Sequence, residues 1–227
     1  MRRLRAVAAS ACALGVALAA TAQAQPVQPD DMTMGNPNAR VTVIEYGSAS
    51  CPHCARFNND VFPAFKAKYV DTGKVRYVFR EFLTQPVELA AAGFLIARCG
   101  GRDKYFAALD GVFHAQAQIY QTGDAAGPLT KVAKAEGLSE AQANACVQDK
   151  AAIAALNARV QGYEKLDKID STPTFDVNGK RLTGEQTLDQ ISAAVDSALA
   201  PSTHGRPAHA THATHATHTV HHHHRTH

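Results

Sequence analysis

The segment Val41 to Cys54, VTVIEYGSASCPHC, restricts the fold of this chain more than any other stretch. Its first seven residues are mostly β-branched, aromatic or apolar, and Asn36-Pro37 and Gly47-Ser48 bound them. That is the pattern of a buried strand. Cys51 follows in a short loop. Pro52 suits the first turn of a helix, where the N–H it lacks would have no intrahelical partner. The helix is expected to run to about Val70, with Pro63 a place for a kink, and to stop at Asp71-Thr72-Gly73. Lys74 to Phe82 then alternates as a second strand, and the three elements make a parallel βαβ unit.

Beyond this unit the periodicity changes. Val87 to Leu166 is Ala-rich with helical spacing, punctuated by Gly100-Gly101, Gly123 through Gly127-Pro128, and Gly137. Four to five helices and no strand are expected over roughly 86–168, with Ser139 capping one that runs through Asp149. Thr174 to Val177 resumes strand character, Asn178-Gly179 signals a tight hairpin, and Arg181 to Thr183 forms the return strand. An amphipathic helix is expected over Glu185 to Leu199, with Leu188, Ile191, Val195 and Leu199 on one face. The chain therefore reads as α/β, in the order β-α-β, helical block, β-β-α.

The two ends differ from this body. The 227 residues carry 23 Lys+Arg against 20 Asp+Glu, a formal charge of +3. Arg2, Arg3 and Arg5 account for the excess: without the first 24 residues, 20 bases face 20 acids. The clustered basic excess of a nucleic-acid-binding domain is absent. Those three Arg, the apolar run Ala6 to Ala20 and Ala22-Gln23-Ala24 read as a secretory signal at 1–24. The run is short of the ~20 residues that span a bilayer, and Cys12 within it reads as a removed apolar residue. An oxidising destination, the bacterial periplasm, follows. Residues 201–227 form a tail without apolar residues to bury, expected to be disordered. Ten of the 12 histidines lie there, and His209, His212, His215 and His218 recur every third residue. Neutral imidazoles at that density can bind Cu, Ni or Zn, which keeps a metal-handling protein as an alternative.

Removing Cys12 leaves Cys51, Cys54, Cys99 and Cys146. In Cys51-Pro52-His53-Cys54 the first sulfur lies beside the unpaired N–H groups of a helix start, which favour its thiolate. The second lies on the same helical face and can close a ring with the first. His53 can add to the thiolate's stability by a hydrogen bond or, when charged, electrostatically. Stabilising that thiolate makes the disulfide a better oxidant. Structural zinc is disfavoured, because Cys99, Cys146 and His114 lack ligand spacing. A purely structural Cys51–Cys54 bond would constrain too small a loop to stabilise much. Cys99 and Cys146 suit a structural disulfide in an oxidising compartment, with two separate thiols as the alternative. Glu45 in its strand is most simply solvent-exposed or paired with an Arg; buried, it would have a raised pKa and relay protons. Pro173 before a strand fits either a trans turn or a cis bond.

The strand with Glu45, CPHC at a helix start, the helical block and Thr172-Pro173 before a hairpin together resemble the DsbA family of periplasmic thiol oxidases, over roughly residues 30 to 200. The resemblance implies a thioredoxin fold with a helical insertion between its two halves. It also implies Cys51 as the exposed nucleophile, Cys54 as its buried partner, Pro173 as a cis-proline facing the disulfide, and Glu45 as a buried acid. Thr172 and Pro173 would meet an extended substrate segment. Beyond the redox-active Cys51–Cys54 disulfide no cofactor is expected. The implied partners are reduced exported proteins and a DsbB-type membrane quinone reductase, and a monomer is expected. Reductase or isomerase activity remains open within the same class.

Overall fold

The computed structural model describes residues 25–201. The expected leader at 1–24 and the tail histidines lie outside the described residues. Five strands, β1 Met32–Gly35, β2 Val41–Gly47, β3 Val75–Glu81, β4 Thr174–Val177 and β5 Lys180–Thr183, form one sheet in the order β1-β3-β2-β4-β5. β2 and β3 are parallel, as the βαβ reading requires, and the other neighbours are antiparallel. β1 was not expected. Met32-Thr33-Met34-Gly35 is too short to signal a strand by itself and forms one by pairing with the free edge of β3.

The helical run after Cys51 comprises α1 Pro52–Arg56 and α2 Phe62–Phe65, each followed by a π-helical stretch, Phe57–Val61 and Lys66–Val70. Pro63 has no N–H to give and its ring crowds the preceding turn. The wider bonding just before it, with Phe62 N–H reaching Phe57 O, accommodates this without ending the helix. At the hairpin, Asn178 and Gly179 take φ of 49° and 91°, the left-handed pair that a two-residue turn needs.

Between the halves lie α3 Val87–Cys99, α4 Tyr105–Thr122, α5 Ala126–Ala135, α6 Glu140–Gln148 and α7 Lys150–Asp167. Ser139 caps α6 through a reciprocal pair of bonds with Gln142. The last helix, α8, spans Leu188–Leu199 and not Glu185 onward. Thr187 and Gln190 form a capping box, with Gln190 N–H donating to Thr187 Oγ1 at 3.2 Å and Thr187 N–H to Gln190 Oε1 at 2.8 Å. That box fixes the start and leaves Glu185 in the preceding loop.

One sheet face buries Val43, Val75, Tyr77, Phe79 and Phe175 against helices of both halves. The other buries Ile44, Tyr46 and Val78 with Tyr163 and Ile169. Consecutive β3 residues point to opposite faces, and two buried charges use this. Arg80 donates to Asp31 at 2.9 Å, to Asp167 at 2.8 Å and to the Tyr46 hydroxyl at 3.0 Å. Glu81 accepts from Arg98 at 2.6 Å and Arg159 at 2.9 Å. Together they tie the N-terminal segment and the insertion to the sheet, and loss of one partner would strand a buried charge. A disulfide between Cys99 and Cys146, 47 residues apart, joins the end of α3 to α6.

Candidate active site

Cys51 stands at the N-cap of α1 in extended conformation, with φ −82° and ψ 118°. It is only 6% exposed, not the exposed thiol the resemblance implied, because Thr172 packs against its sulfur. Its Sγ accepts the Cys54 backbone N–H at 3.4 Å. On the opposite side, its thiol donates to the Thr172 carbonyl at 3.4 Å, a bond available only to the protonated form. The Cys51 pKa falls from 9.0 to about 5. The Cys54 thiol contributes most by donating to it, and the Thr172 side chain and the backbone N–H groups of Cys54 and His53 add to this against the opposing effect of burial. Cys54 behaves in the reverse way. It is fully buried, and burial, its donation to Cys51 and nearby negative charge push its thiol well above the ordinary range. Helix geometry therefore divides two identical thiols into one poised to ionise and one held neutral.

Glu45 lies beneath this pair on the central strand β2 and is only 2% exposed. Neither simple sequence reading holds. Both faces of β2 are covered, and among the described residues no Arg bonds to the carboxyl. Its Oε2 instead accepts the hydroxyl of Tyr77. Tyr77 pairs with Val43 across β2 and β3, two residues before Glu45 on the same face. Burial raises the Glu45 pKa from 4.5 to about 8, the Tyr77 bond opposes this, and charge on Cys51 adds to it. The carboxyl lines a cavity of about 350 Å³ with Met34, Phe62, Tyr77 and Phe106. The partly exposed Lys66 and Asp110 also line it, so one end meets solvent.

The loop before Cys51 is held from two directions. Ser48 and Ser50 bond with Thr84, which donates its N–H at 3.2 Å and its hydroxyl at 2.9 Å to Ser48 Oγ. From α4 of the insertion, Gln116 Nε2 donates to the carbonyls of Ala49 at 2.7 Å and Cys51 at 3.3 Å. Tyr120 donates its hydroxyl to the Ser50 carbonyl. None of these supports was read from the sequence, because each joins residues far apart in the chain.

The expected bond from the His53 ring to Cys51 is not formed. Nδ1 lies 3.0 Å from Glu185 Oε2 and 2.5 Å from Arg56 Nη2, and only the backbone N–H of His53 serves the sulfur. Pro52 occupies the first turn of α1. The Thr172–Pro173 bond is cis, as is Gln85–Pro86, which the sequence did not flag. Among the described residues no group of three or more His, Cys, Asp or Glu is arranged to hold a metal ion. Cys99 and Cys146 are occupied by their disulfide, and His114 bonds to Asp110 on an exposed face of α4.

Residues 27–197 match the family model described as thioredoxin. A protein of Rickettsia conorii that carries a protein-disulfide oxidoreductase name is 36% identical over 174 residues, covering 76% of this chain and 62% of its own length. This chain thus spans less than two thirds of that relative. Disulfide bond formation protein D of Bacillus subtilis is 28% identical over 184 residues, 77% of this chain and 80% of its own. The crystal structure of alpha-DsbA1 from Wolbachia pipientis superimposes with a TM-score of 0.68 at 26% identity, over 75% of this chain and 92% of that one. With a five-stranded mixed sheet, a Cys-x-x-Cys pair at the start of α1 and five helices inserted between the two halves, the chain belongs to the thioredoxin-fold family of DsbA-like disulfide oxidoreductases.

Proposed function

We propose that this protein is a thiol oxidase that introduces disulfides into exported proteins in the periplasm, after removal of residues 1–24. The unequal acidity of Cys51 and Cys54 carries this reading. A thiolate stabilised in the reduced form is a good leaving group and makes its disulfide a strong oxidant.

In the oxidised form a substrate thiolate attacks Cys51 Sγ. A mixed disulfide forms, the Cys51–Cys54 bond breaks, and Cys54 leaves as a thiolate. Glu45, whose pKa of about 8 keeps it protonated at neutral pH, supplies the proton that Cys54 needs in its buried position. A second substrate thiolate then attacks the substrate sulfur of the mixed disulfide and releases Cys51 as a thiolate. The substrate loses two electrons and the pair gains them. An electron acceptor of the DsbB type, a membrane quinone reductase, restores the disulfide. The Thr172 carbonyl facing Cys51 supports a role for Thr172 and Pro173 in holding an extended substrate segment by its backbone.

The test is the reduction potential of residues 25–200 equilibrated with glutathione, together with oxidation of a reduced, unfolded secretory protein. A potential well above the about −270 mV of thioredoxin, with stoichiometric substrate oxidation, is the expected outcome. A potential at or below that value would sink the oxidase reading and leave a reductase.

A further inference from the structure

The His53 ring sits beside the reactive sulfur in sequence but bonds elsewhere. It is 60% exposed, and Glu185 and Arg56 are 35% and 49% exposed, so packing does not dictate where the ring points. The contacts that hold it are polar. Glu185 Oε2 lies 3.0 Å from Nδ1, and Glu185 is itself anchored by Arg56 Nε at 3.0 and 3.2 Å. Arg56, and after it His53, holds the Glu185 carboxyl below the usual range, so the acid is present as its anion. His53 and Arg56, three residues apart, share a face of α1. Glu185 reaches them from the loop between β5 and α8, 132 residues from His53.

We propose that Glu185 is a positioning residue that holds the His53 ring off the Cys51 thiolate and thereby restrains the oxidising strength of the pair. The inference rests on the redox role given to Cys51 and Cys54 above. A ring N–H donated to the thiolate would stabilise the reduced form, which is the product of oxidising a substrate. Held by Glu185 through Nδ1, the ring makes no bond to the sulfur. The thiolate is left with the Cys54 thiol, the Thr172 side chain and two backbone amides. Replacing Glu185 frees the ring to turn towards a sulfur two residues away.

The experiment is a double-mutant cycle of E185A and H53Q in the protein from residue 25 onward, since alanine leaves no oxygen to hold the ring. The balance measured is enzyme disulfide plus two glutathione against enzyme dithiol plus glutathione disulfide. E185A is expected to move it towards the dithiol by about two- to fivefold, the range of exposed ion pairs. The midpoint of thiolate absorbance should fall with it. In the H53Q background the shift should disappear, and high salt should narrow the gap between wild type and E185A. An equal shift with His53 absent, no shift, or a shift towards the disulfide would each overturn the proposal. Should the wild-type pair fail to titrate against glutathione at all, the redox reading of the site falls and this inference with it. A normal wild-type couple that ignores E185A removes the positioning role alone.

Discussion

Gln116 donates from α4 to the Ala49 carbonyl at 2.7 Å, across 67 residues of sequence. The insertion therefore reaches into the active-site loop and fixes the backbone that presents Cys51. Gln116 is 3% exposed, and its Oε1 finds no partner among the described residues. Only the amide nitrogen contributes bonds. Gln116→Leu should leave the buried Ala49 carbonyl unsatisfied at a cost of about 1–3 kcal/mol. Urea unfolding of the two proteins checks this. An unchanged midpoint would show that the loop holds itself.

The second expectation concerns Cys51 and pH. Its folded pKa, about 5, lies below the ordinary 9.0. In the interval between them the unfolded chain binds the extra proton, so stability of the reduced protein rises with pH. This contribution is complete above about 9 and is lost as pH falls through about 5. The oxidised protein has no such thiol. The difference in unfolding free energy, reduced minus oxidised, should therefore grow from pH 5 to pH 8, measured by parallel denaturant titrations. A flat difference would contradict a depressed thiol.

Glu45 gives the opposite slope. Its folded pKa, about 8, lies above the ordinary 4.5, so its favourable contribution is full below 4.5 and disappears as pH rises through about 8. Glu45→Gln keeps an acceptor for Tyr77 and cannot ionise. In the oxidised protein, where Cys51 and Cys54 do not titrate, the wild type should lose stability relative to this variant between pH 5 and 8. Parallel pH profiles for the two would place Glu45 in a more hydrated site.

Joining Cys99 to Cys146 closes a loop of 47 residues. In the chain-entropy model that restraint is worth about 4 kcal/mol. Replacing both cysteines with alanine should lower the guanidinium midpoint accordingly. The Cys51 thiolate absorbance should stay in place, because neither Cys99 nor Cys146 is among the groups that stabilise it.

Several features were legible because they depend on neighbours in sequence. A left-handed pair of residues suits Asn178-Gly179, so the hairpin could be read from two letters. Pro52 after Cys51 marks a helix start for the same local reason. β1 was invisible, since Met32-Thr33-Met34-Gly35 becomes a strand only when β3 offers its edge. Glu185 was placed in a helix by the apolar rhythm that follows it. The Thr187–Gln190 capping box overrode that rhythm and left the acid free to meet His53.

The sequence by itself determined the reactive unit: two thiols at a spacing that shares one helix face, the first beside unpaired amides. It also determined the order of elements from β2 onward, because periodicity and turn chemistry are local. Tertiary structure decided which groups act on that unit. It buried Glu45 against Tyr77 on the adjacent strand, brought Gln116 to the loop, and turned His53 towards Glu185. Those choices depend on strand register and helix packing between residues tens of positions apart, and no local pattern encodes them.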